Sequence, residues 1–396
     1  MTSRRFDYET MPLTIGIDFT SASRERAGIG RYARELVRAL SRVDHTNRYV
    51  LFVPRDAYAE LLAYNWSPNF SIRRAPLTER YLAALWHRAR VPLPVETFIG
   101  GVDVFYSPDF LLPPTFAQRK LVTVHDLSYV RVPECFPAPL LNYLNRAVPP
   151  SVARADLILA DAASTQRDLV DVYSVPINKV KVLYSGVDPR FRPDVSQASQ
   201  ARVRELTHGK PYLLSVSTIQ PRKNYSRLIE AFAHLISNVQ FPISNFQSLI
   251  SNLQLVIAGG RGWMFDEIFQ TVERLGLQNR VIFPSFFSDE DVPALYAGAT
   301  LFVYPSLYEG FGLPVVEAMA CGLPVVSSNA SSLPEVGGDA VLYFDPRDVD
   351  AMMAAIQRAL TDESLRADLR AKGLIQAKKF SWEKAARELK NYLEGE

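Results

Sequence analysis

Only two of the 396 residues are cysteines, Cys135 and Cys321, which excludes a disulfide framework of the kind that holds small secreted domains together. No apolar run reaches the ~18 residues that a membrane-spanning helix needs. The first eleven residues, Met1 to Met11, are polar and contain nothing resembling a signal peptide. The expectation is a soluble, cytoplasmic protein. No dense basic run is interleaved with aromatics, which argues against nucleic-acid binding. No grouping of His, Cys, Asp and Glu has metal-ligand spacing, so no metal site is expected. Lysine is missing until Lys120. What remains is an ordinary folded composition, 48% hydrophobic, 22% charged and 11% aromatic. This balance rules out a disordered chain, a collagen and a coiled coil.

The length suggests two large domains, each able to bury its own core. A net charge of +2 conceals an asymmetry, because residues 1–190 carry 24 Lys+Arg against 19 Asp+Glu. Such a mildly basic half fits either a phosphate-bearing or membrane-surface partner, or simply arginine-rich solvated helix faces. Within it, the basic and aromatic segment Arg80–Arg90 suits ordinary packing of Leu82, Leu85 and Trp86, with peripheral contact at the inner face of a membrane as the alternative.

Both halves alternate short apolar runs with amphipathic stretches. Buried strands are expected at Leu13–Asp18, Tyr49–Val53, Val102–Tyr106, Leu121–His125, Leu157–Ala160 and Val180–Leu183. In the second half they are expected at Tyr212–Val216, Leu253–Ala258, Val281–Phe283, Leu301–Tyr304, Pro324–Ser327 and Val341–Phe344. Helical stretches such as Tyr32–Leu40 and Thr165–Val172 lie between them. Strand–helix alternation of this kind implies an α/β fold of parallel sheets covered by helices on both faces. The Pro-, Ser- and Gln-rich segment Asp188–Gln200 reads as a linker, so one domain spans 1–190 and a second spans 191–380. The last stretch, 381–396, contains a separate helix, Ser381–Leu393, expected to cross back to the first domain. Residues 236–254 form an imperfect seven-residue repeat, I-S-N-V-Q-F-P, I-S-N-F-Q-S-L, I-S-N-L-Q. Its Pro, Asn and Ser content argues against a helix, and it reads as a duplicated insertion in a surface connection.

The strongest chemical signal is the run Tyr308-Glu309-Gly310-Phe311-Gly312-Leu313-Pro314-Val315-Val316-Glu317, which follows the strand Leu301–Tyr304. Two glycines permit a tight turn and close approach of a ligand, and Pro314 suits the first turn of a helix. A phosphate above that turn meets free N–H groups and the positive helix end. Glu309 is expected at the strand's C-terminal end and Glu317 about one turn inside the helix. Two carboxylates so placed accept hydrogen bonds from two sets of hydroxyls flanking a phosphate, which is what a nucleotide sugar offers. Arg222 and Lys223 follow the strand Tyr212–Val216 and are expected in the cleft opposite the Glu loop. There they would stabilise the charge that grows on a departing nucleoside diphosphate.

These motifs resemble the retaining glycosyltransferases of family 4, which have the GT-B fold of two Rossmann-like doubly wound domains facing across a cleft. The resemblance runs through Gly28-Ile29-Gly30-Arg31-Tyr32, Val124-His125-Asp126, Ser185-Gly186-Val187-Asp188 and Ser217-Thr218-Ile219-Gln220-Pro221-Arg222-Lys223-Asn224. Ser185 stands where Asn is usual. Thr218 lies near the place of an arginine in many relatives, with Arg222 expected to substitute. By this resemblance His125, Glu309, Arg222 and Lys223 are the catalytic candidates, and Gly28, Phe311, Gly312, Leu313 and Glu317 bind the donor. A structural histidine bonding backbone is the other reading of His125. Arg24 and Arg26 are either ligands of a phosphorylated acceptor or mobile loop residues. The implied activity is metal-independent transfer of a hexose, first of all mannose from GDP-mannose, to a sugar or lipid-linked acceptor, without a cofactor. Glucosyl or N-acetylglucosaminyl transfer from a UDP-sugar is the alternative within the class. An NAD-dependent oxidoreductase fits less well, because Ala33 fills the third position of the glycine fingerprint and Tyr49–Val53 ends in Pro54-Arg55. A two-lobed sugar-binding protein would need neither the cationic loop nor the paired glutamates.

Overall fold

The computed structural model describes residues 11–24, 28–237, 244–284 and 287–395. Arg26 and the middle of the seven-residue repeat lie outside them. Seven strands form the first sheet: β1 (Thr14–Asp18), β2 (Arg48–Val53), β3 (Phe70–Arg74), β4 (Val104–Ser107), β5 (Arg119–Val124), β6 (Leu157–Ala160) and β7 (Val180–Val182). Their order is β3-β2-β1-β4-β5-β6-β7, parallel throughout. The second sheet holds β8 (Tyr212–Val216), β9 (Gln254–Ala258), β10 (Val281–Ile282), β11 (Leu301–Tyr304), β12 (Val325–Ser328) and β13 (Val341–Phe344). It is also parallel, in the order β10-β9-β8-β11-β12-β13. The chain direction across each sheet reverses once, between β1 and β4 and between β8 and β11. In open α/β sheets ligands bind at these switch points, beyond the carboxyl ends of the strands.

The interior strands read as apolar runs because both faces are covered, whereas the edge strand β7 carries an exposed Lys181. Successive side chains of β2 alternate, so Tyr49, Leu51 and Val53 enter one apolar layer and Val50 and Phe52 the other. The second sheet divides in the same way, with Leu255 and Ile257 on one side and Val256 and Ala258 on the other. The strand β3 has no counterpart among the expected runs. It is an edge strand of sequence F-S-I-R-R in which Phe70 is buried and the two arginines are exposed, so it lacks an apolar signature. The repeat also departs from expectation, since Ser244–Asn252 is helical. Ile250 and Leu253 are buried in the second lobe's core and Leu249 packs against it. Apolar burial outweighs the weak helix propensity of Ser and Asn.

The final helix, Trp382–Glu394, is capped by the Ser381 side chain, which accepts from the Lys384 N–H. Its residues Trp382, Ala385, Ala386, Leu389 and Leu393 lie at helical spacing and are buried in the first lobe's core beside Leu36 and Leu40 of the helix Ile29–Val43. The end of the chain therefore crosses back from the second lobe and completes the first. Among the described residues no helix is long and apolar enough to cross a membrane. Because Leu389 is fully buried, Leu389→Ala is expected to cost about 3 kcal/mol of stability, read from a denaturant unfolding midpoint. A loss below about 1 kcal/mol would mean that the helix is not part of the first lobe's core.

Candidate active site

The loops that leave the carboxyl ends of β8 and β11 meet at the second switch point. After β8 the chain reaches a short 3-10 turn, Pro221–Lys223, closed by Asn224 at φ 60. The Asn224 amide donates to the carbonyls of Pro305 at 3.0 Å and Pro346 at 2.7 Å, which ties this loop to those after β11 and β13. That second loop runs into the helix Leu313–Ala320, with Gly312 at φ 100 as its N-cap and Pro314 in its first turn. An L-side chain at φ 100 is strained, so the turn depends on the glycine.

These two loops bring Glu309, Arg222 and Lys223 together. Lys223 Nζ lies 2.5 Å from Glu309 Oε1, and Arg222 lies 3.2 Å from Glu309 Oε2. The Tyr304 hydroxyl donates to Glu309 Oε1 and accepts from Lys223 Nζ, each at 3.0 Å. The cations thus sit directly on the glutamate, where a position across the cleft from it was expected. Burial alone would raise the Glu309 pKa, but Lys223 and Arg222 hold it at about 2. Burial, reinforced by Arg222 and opposed by Glu309, lowers Lys223 to about 8. Glu309 offsets the burial of Arg222 and raises that guanidinium further. The Arg222 Nε–H is buried without a hydrogen-bond partner.

Two serines after β12 shape the glutamate's loop. Ser331 Oγ accepts from the Glu309 N–H at 2.7 Å, and Ser332 Oγ donates to the carbonyls of Glu309 and Phe311, each at 3.0 Å. Neither was singled out in the sequence, where they stand in an unremarked polar turn, Ser328-Asn329-Ala330-Ser331-Ser332. The Phe311 ring packs against Tyr184 and Phe380. Leu313 touches the apolar cores of both lobes.

The first lobe closes on this loop. A Cβ built on Gly310 would lie 2.1 Å from the His125 carbonyl oxygen, so only glycine allows the lobes to approach so closely. His125 thus presents its main chain to the site. Its ring turns inward, with Nδ1 2.8 Å from Asp161 Oδ2 and Nε2 2.9 Å from the Pro108 carbonyl. Burial opposes charge on this ring, yet Asp161 raises its pKa to about 9. Burial also raises Asp161. The geometry favours imidazolium, because only a doubly protonated ring donates to both acceptors. Asp126 accepts from the Ser128 N–H and hydroxyl and stands 3.9 Å from Arg222. Arg24 is committed to Asp56 at 2.5 Å and Glu79 at 2.6 Å, so it is not available to a phosphorylated acceptor in this arrangement.

Gly28, at φ 58, precedes the helix Ile29–Val43. From the first turn of that helix Arg31 reaches across to Glu317, 2.6 Å away. Glu317 is 3% exposed. Its Oε2 accepts from the Tyr296 hydroxyl at 2.9 Å, while Oε1 is buried without a hydrogen bond. A further carboxylate, Glu335, bridges the lobes by accepting from the N–H groups of Ala163 at 2.7 Å and Ser164 at 3.2 Å and from the Tyr184 hydroxyl at 2.7 Å. It occupies the positive end of the helix Ala163–Tyr173. Among the described residues no three His, Cys, Asp or Glu side chains are grouped so as to hold a metal ion.

The sequence profile described as Glycosyltransferase Family 4 matches residues 26–191, and the one described as Glycosyl transferases group 1 matches residues 196–376. Over 377 residues the chain is 33% identical to O-antigen chain mannosyltransferase B of Escherichia coli, covering 90% of this chain and 93% of that one. The chain belongs to the family 4 glycosyltransferases. This glycosyltransferase is also 25% identical to O-antigen chain mannosyltransferase RfbU of Salmonella typhimurium over 345 residues, 86% of this chain and 89% of that one. Its fold matches sucrose-phosphate synthase from Thermosynechococcus elongatus with a TM-score of 0.74 and 21% identity, covering 96% and 98% of the two chains. The architecture is GT-B, two Rossmann-like domains.

The His125–Asp161 pair gives the glycosyltransferase a pH signature. A histidine whose folded pKa of about 9 exceeds its ordinary 6.5 contributes stability that is complete below pH 6.5 and lost as the pH rises through about 9. His125→Gln is expected to lower the melting temperature at pH 6 and to narrow its gap from the natural protein towards pH 9.5. A gap that stays constant across this range would show that His125 is neutral.

Proposed function

We propose that this enzyme transfers mannose from GDP-mannose to a hydroxyl of a growing glycan, free or lipid-linked, with retention of the anomeric configuration. The observation that carries this reading is a pair of opposite orphans at the second switch point. Arg222 Nε is a buried cationic donor without an acceptor, and Glu317 Oε1, paired in charge with Arg31 Nη1 at 2.6 Å, is a buried anionic acceptor without a well-formed hydrogen bond. Buried polar atoms without partners are rare in folded proteins. A ligand that offers phosphate oxygens to the first and hydroxyls to the second satisfies both, and a nucleotide sugar is such a ligand. The names of the Escherichia coli and Salmonella relatives, both O-antigen chain mannosyltransferases, support mannose as the sugar and a polysaccharide as the product.

In this reading the second lobe holds the donor and the first holds the acceptor. Glu309 accepts hydrogen bonds from the sugar hydroxyls. The diphosphate lies above the turn Phe311–Leu313, where N–H groups and the positive end of the helix Leu313–Ala320 favour anions. Glu317 takes the ribose, and Gly28 leaves room beside the diphosphate. As the bond from C1 to phosphate oxygen breaks, the electron pair goes to the diphosphate. Arg222 and Lys223 stabilise that charge without a metal, and each preorganised donor contributes about 3 kcal/mol to the transition state. The acceptor oxygen attacks C1 from the same face and its proton passes to the leaving phosphate oxygen, so no covalent nucleophile is needed. His125 contributes its carbonyl at the junction, held by the imidazolium's two hydrogen bonds. Contact between the lobes excludes water that would hydrolyse the donor.

The test is a thermal-shift series with GDP-mannose, UDP-glucose, UDP-N-acetylglucosamine and NAD, followed by NMR of the linkage made with the stabilising donor. Stabilisation by GDP-mannose and an α-linked product are expected. Stabilisation by NAD alone would overturn the class, and a β-linked product would overturn retention. The charge on Lys223 supplies a second test. Below its pKa of about 8 the amine is protonated and able to stabilise the leaving group, and above it that charge is lost. We expect kcat/KM for the donor to fall as the pH rises through about 8, and Lys223→Arg to keep it level to higher pH. An unchanged fall in the arginine variant would assign it to another group.

A further inference from the structure

We propose that Arg31 is a positioning residue that reads the donor's ribose: it holds the Glu317 carboxylate in place of the ribose diol, and a ligand bearing that diol releases it. This inference rests on the assignment of Glu317 to the ribose. Arg31 is the third residue of the helix Ile29–Val43, and Glu317 is the fifth residue of the helix Leu313–Ala320. A cation in the first turn of a helix opposes the helix dipole, so local helix stability does not account for Arg31. The guanidinium lies over the Phe191 ring, 5.2 Å from its centre, in the segment that joins the lobes. Phe191 in turn meets Tyr296 edge-on, with ring centres 5.6 Å apart. Arg31 therefore touches the joining segment and the second lobe while belonging to the first.

The geometry of the contact matters as much as its distance. Arg31 Nη1 stands 2.6 Å from Glu317 Oε1, yet this oxygen accepts no hydrogen bond. The pair neutralises charge without the linear N–H···O arrangement that would satisfy the oxygen. A hydroxyl donating to Oε1 makes the bond that the guanidinium does not, and it needs the space that the guanidinium occupies. Tyr296 fixes Oε2 from the other side, so the carboxylate cannot simply rotate away. Donor binding then exchanges an ion pair between lobes for hydrogen bonds within one lobe. The exchange lowers donor affinity, and an anion lacking a ribose diol does not trigger it.

Calorimetric titration of GDP and 2′,3′-dideoxy-GDP into the natural enzyme, Arg31→Gln and Arg31→Lys tests this, with UDP and its dideoxy analogue run in parallel as a check on the base. Arg31→Gln is expected to bind the ribose-bearing nucleotide about tenfold more tightly than the natural enzyme and the dideoxy analogue with unchanged affinity. Arg31→Lys keeps the charge but loses the planar fork and is expected to fall between them. Its affinities keep the test available if the glutamine variant does not fold. Equal or weaker binding of the ribose-bearing nucleotide by Arg31→Gln would overturn the proposal, as would an equal gain for the dideoxy analogue. Glu317→Gln separates the two layers of the argument. If it binds GDP and UDP as the natural enzyme does, the ribose assignment falls and takes this inference with it. If it binds more weakly while Arg31→Gln gains nothing, the role of Arg31 alone falls.

Discussion

Two cations, Arg222 and Lys223, and two carboxylates, Glu309 between them and Asp126 3.9 Å from Arg222, pack together at the second switch point, and the rest of the site is arranged around that cluster. Burying a charge is costly unless it is paired. Glu309 pairs with both Arg222 and Lys223, Asp126 lies near the guanidinium, and the Tyr304 hydroxyl accepts a second hydrogen bond from the ammonium. These acids do not satisfy every donor, since the Arg222 Nε–H keeps no hydrogen-bond partner, and such a donor suits an anion. On the proposed reading, an active site that binds a diphosphate and favours its departure uses such cationic donors in a place sheltered from water. The lowered pKa of Lys223 comes first from that shelter from water, with Arg222 adding to it against Glu309.

The lobes are held in register by contacts around this cluster, and Asp126 of the first lobe reaches it directly, 3.9 Å from Arg222. Gly310 lies on the His125 carbonyl, Glu335 caps the helix Ala163–Tyr173, and Arg31 meets Glu317. The chain crosses between lobes twice, and the two crossings touch where the Val187 N–H donates to the Phe380 carbonyl at 3.3 Å. Just beyond, the helix Trp382–Glu394 inserts into the first lobe's core. The polypeptide that builds the second lobe thus also completes the first, so the two lobes do not fold as wholly separate units.

Much of this was legible in the sequence for a physical reason. Strands covered on both faces read as apolar runs, and twelve of the thirteen strands among the described residues overlap an apolar run in the sequence, the short edge strand Val180–Val182 with its exposed Lys181 included. The exception, β3, sits at an edge where only Phe70 needs burial. The loops bearing Glu309, Arg222 and Lys223 were legible because glycine, proline and charge recur there at strand ends. The helix Ser244–Asn252 was not, since its Ser and Asn residues favour turns and only tertiary burial of Ile250 reveals it. Contacts between lobes were the least legible. Nothing in the spacing of Arg31 and Glu317 predicts that they meet, and nothing in Val124-His125-Asp126 tells which way the ring turns.

The central claim is that Glu309 serves the sugar while Arg222 and Lys223 serve the diphosphate. Titration of GDP into Glu309→Gln, with mannosyl transfer assayed on the same sample, tests it most directly. The variant removes the charge that offsets the two cations and leaves the diphosphate site otherwise intact. The account predicts GDP binding at least as tight as in the natural enzyme, with transfer reduced by a factor of about a thousand. Loss of GDP binding together with transfer, or full transfer by the variant, would contradict it.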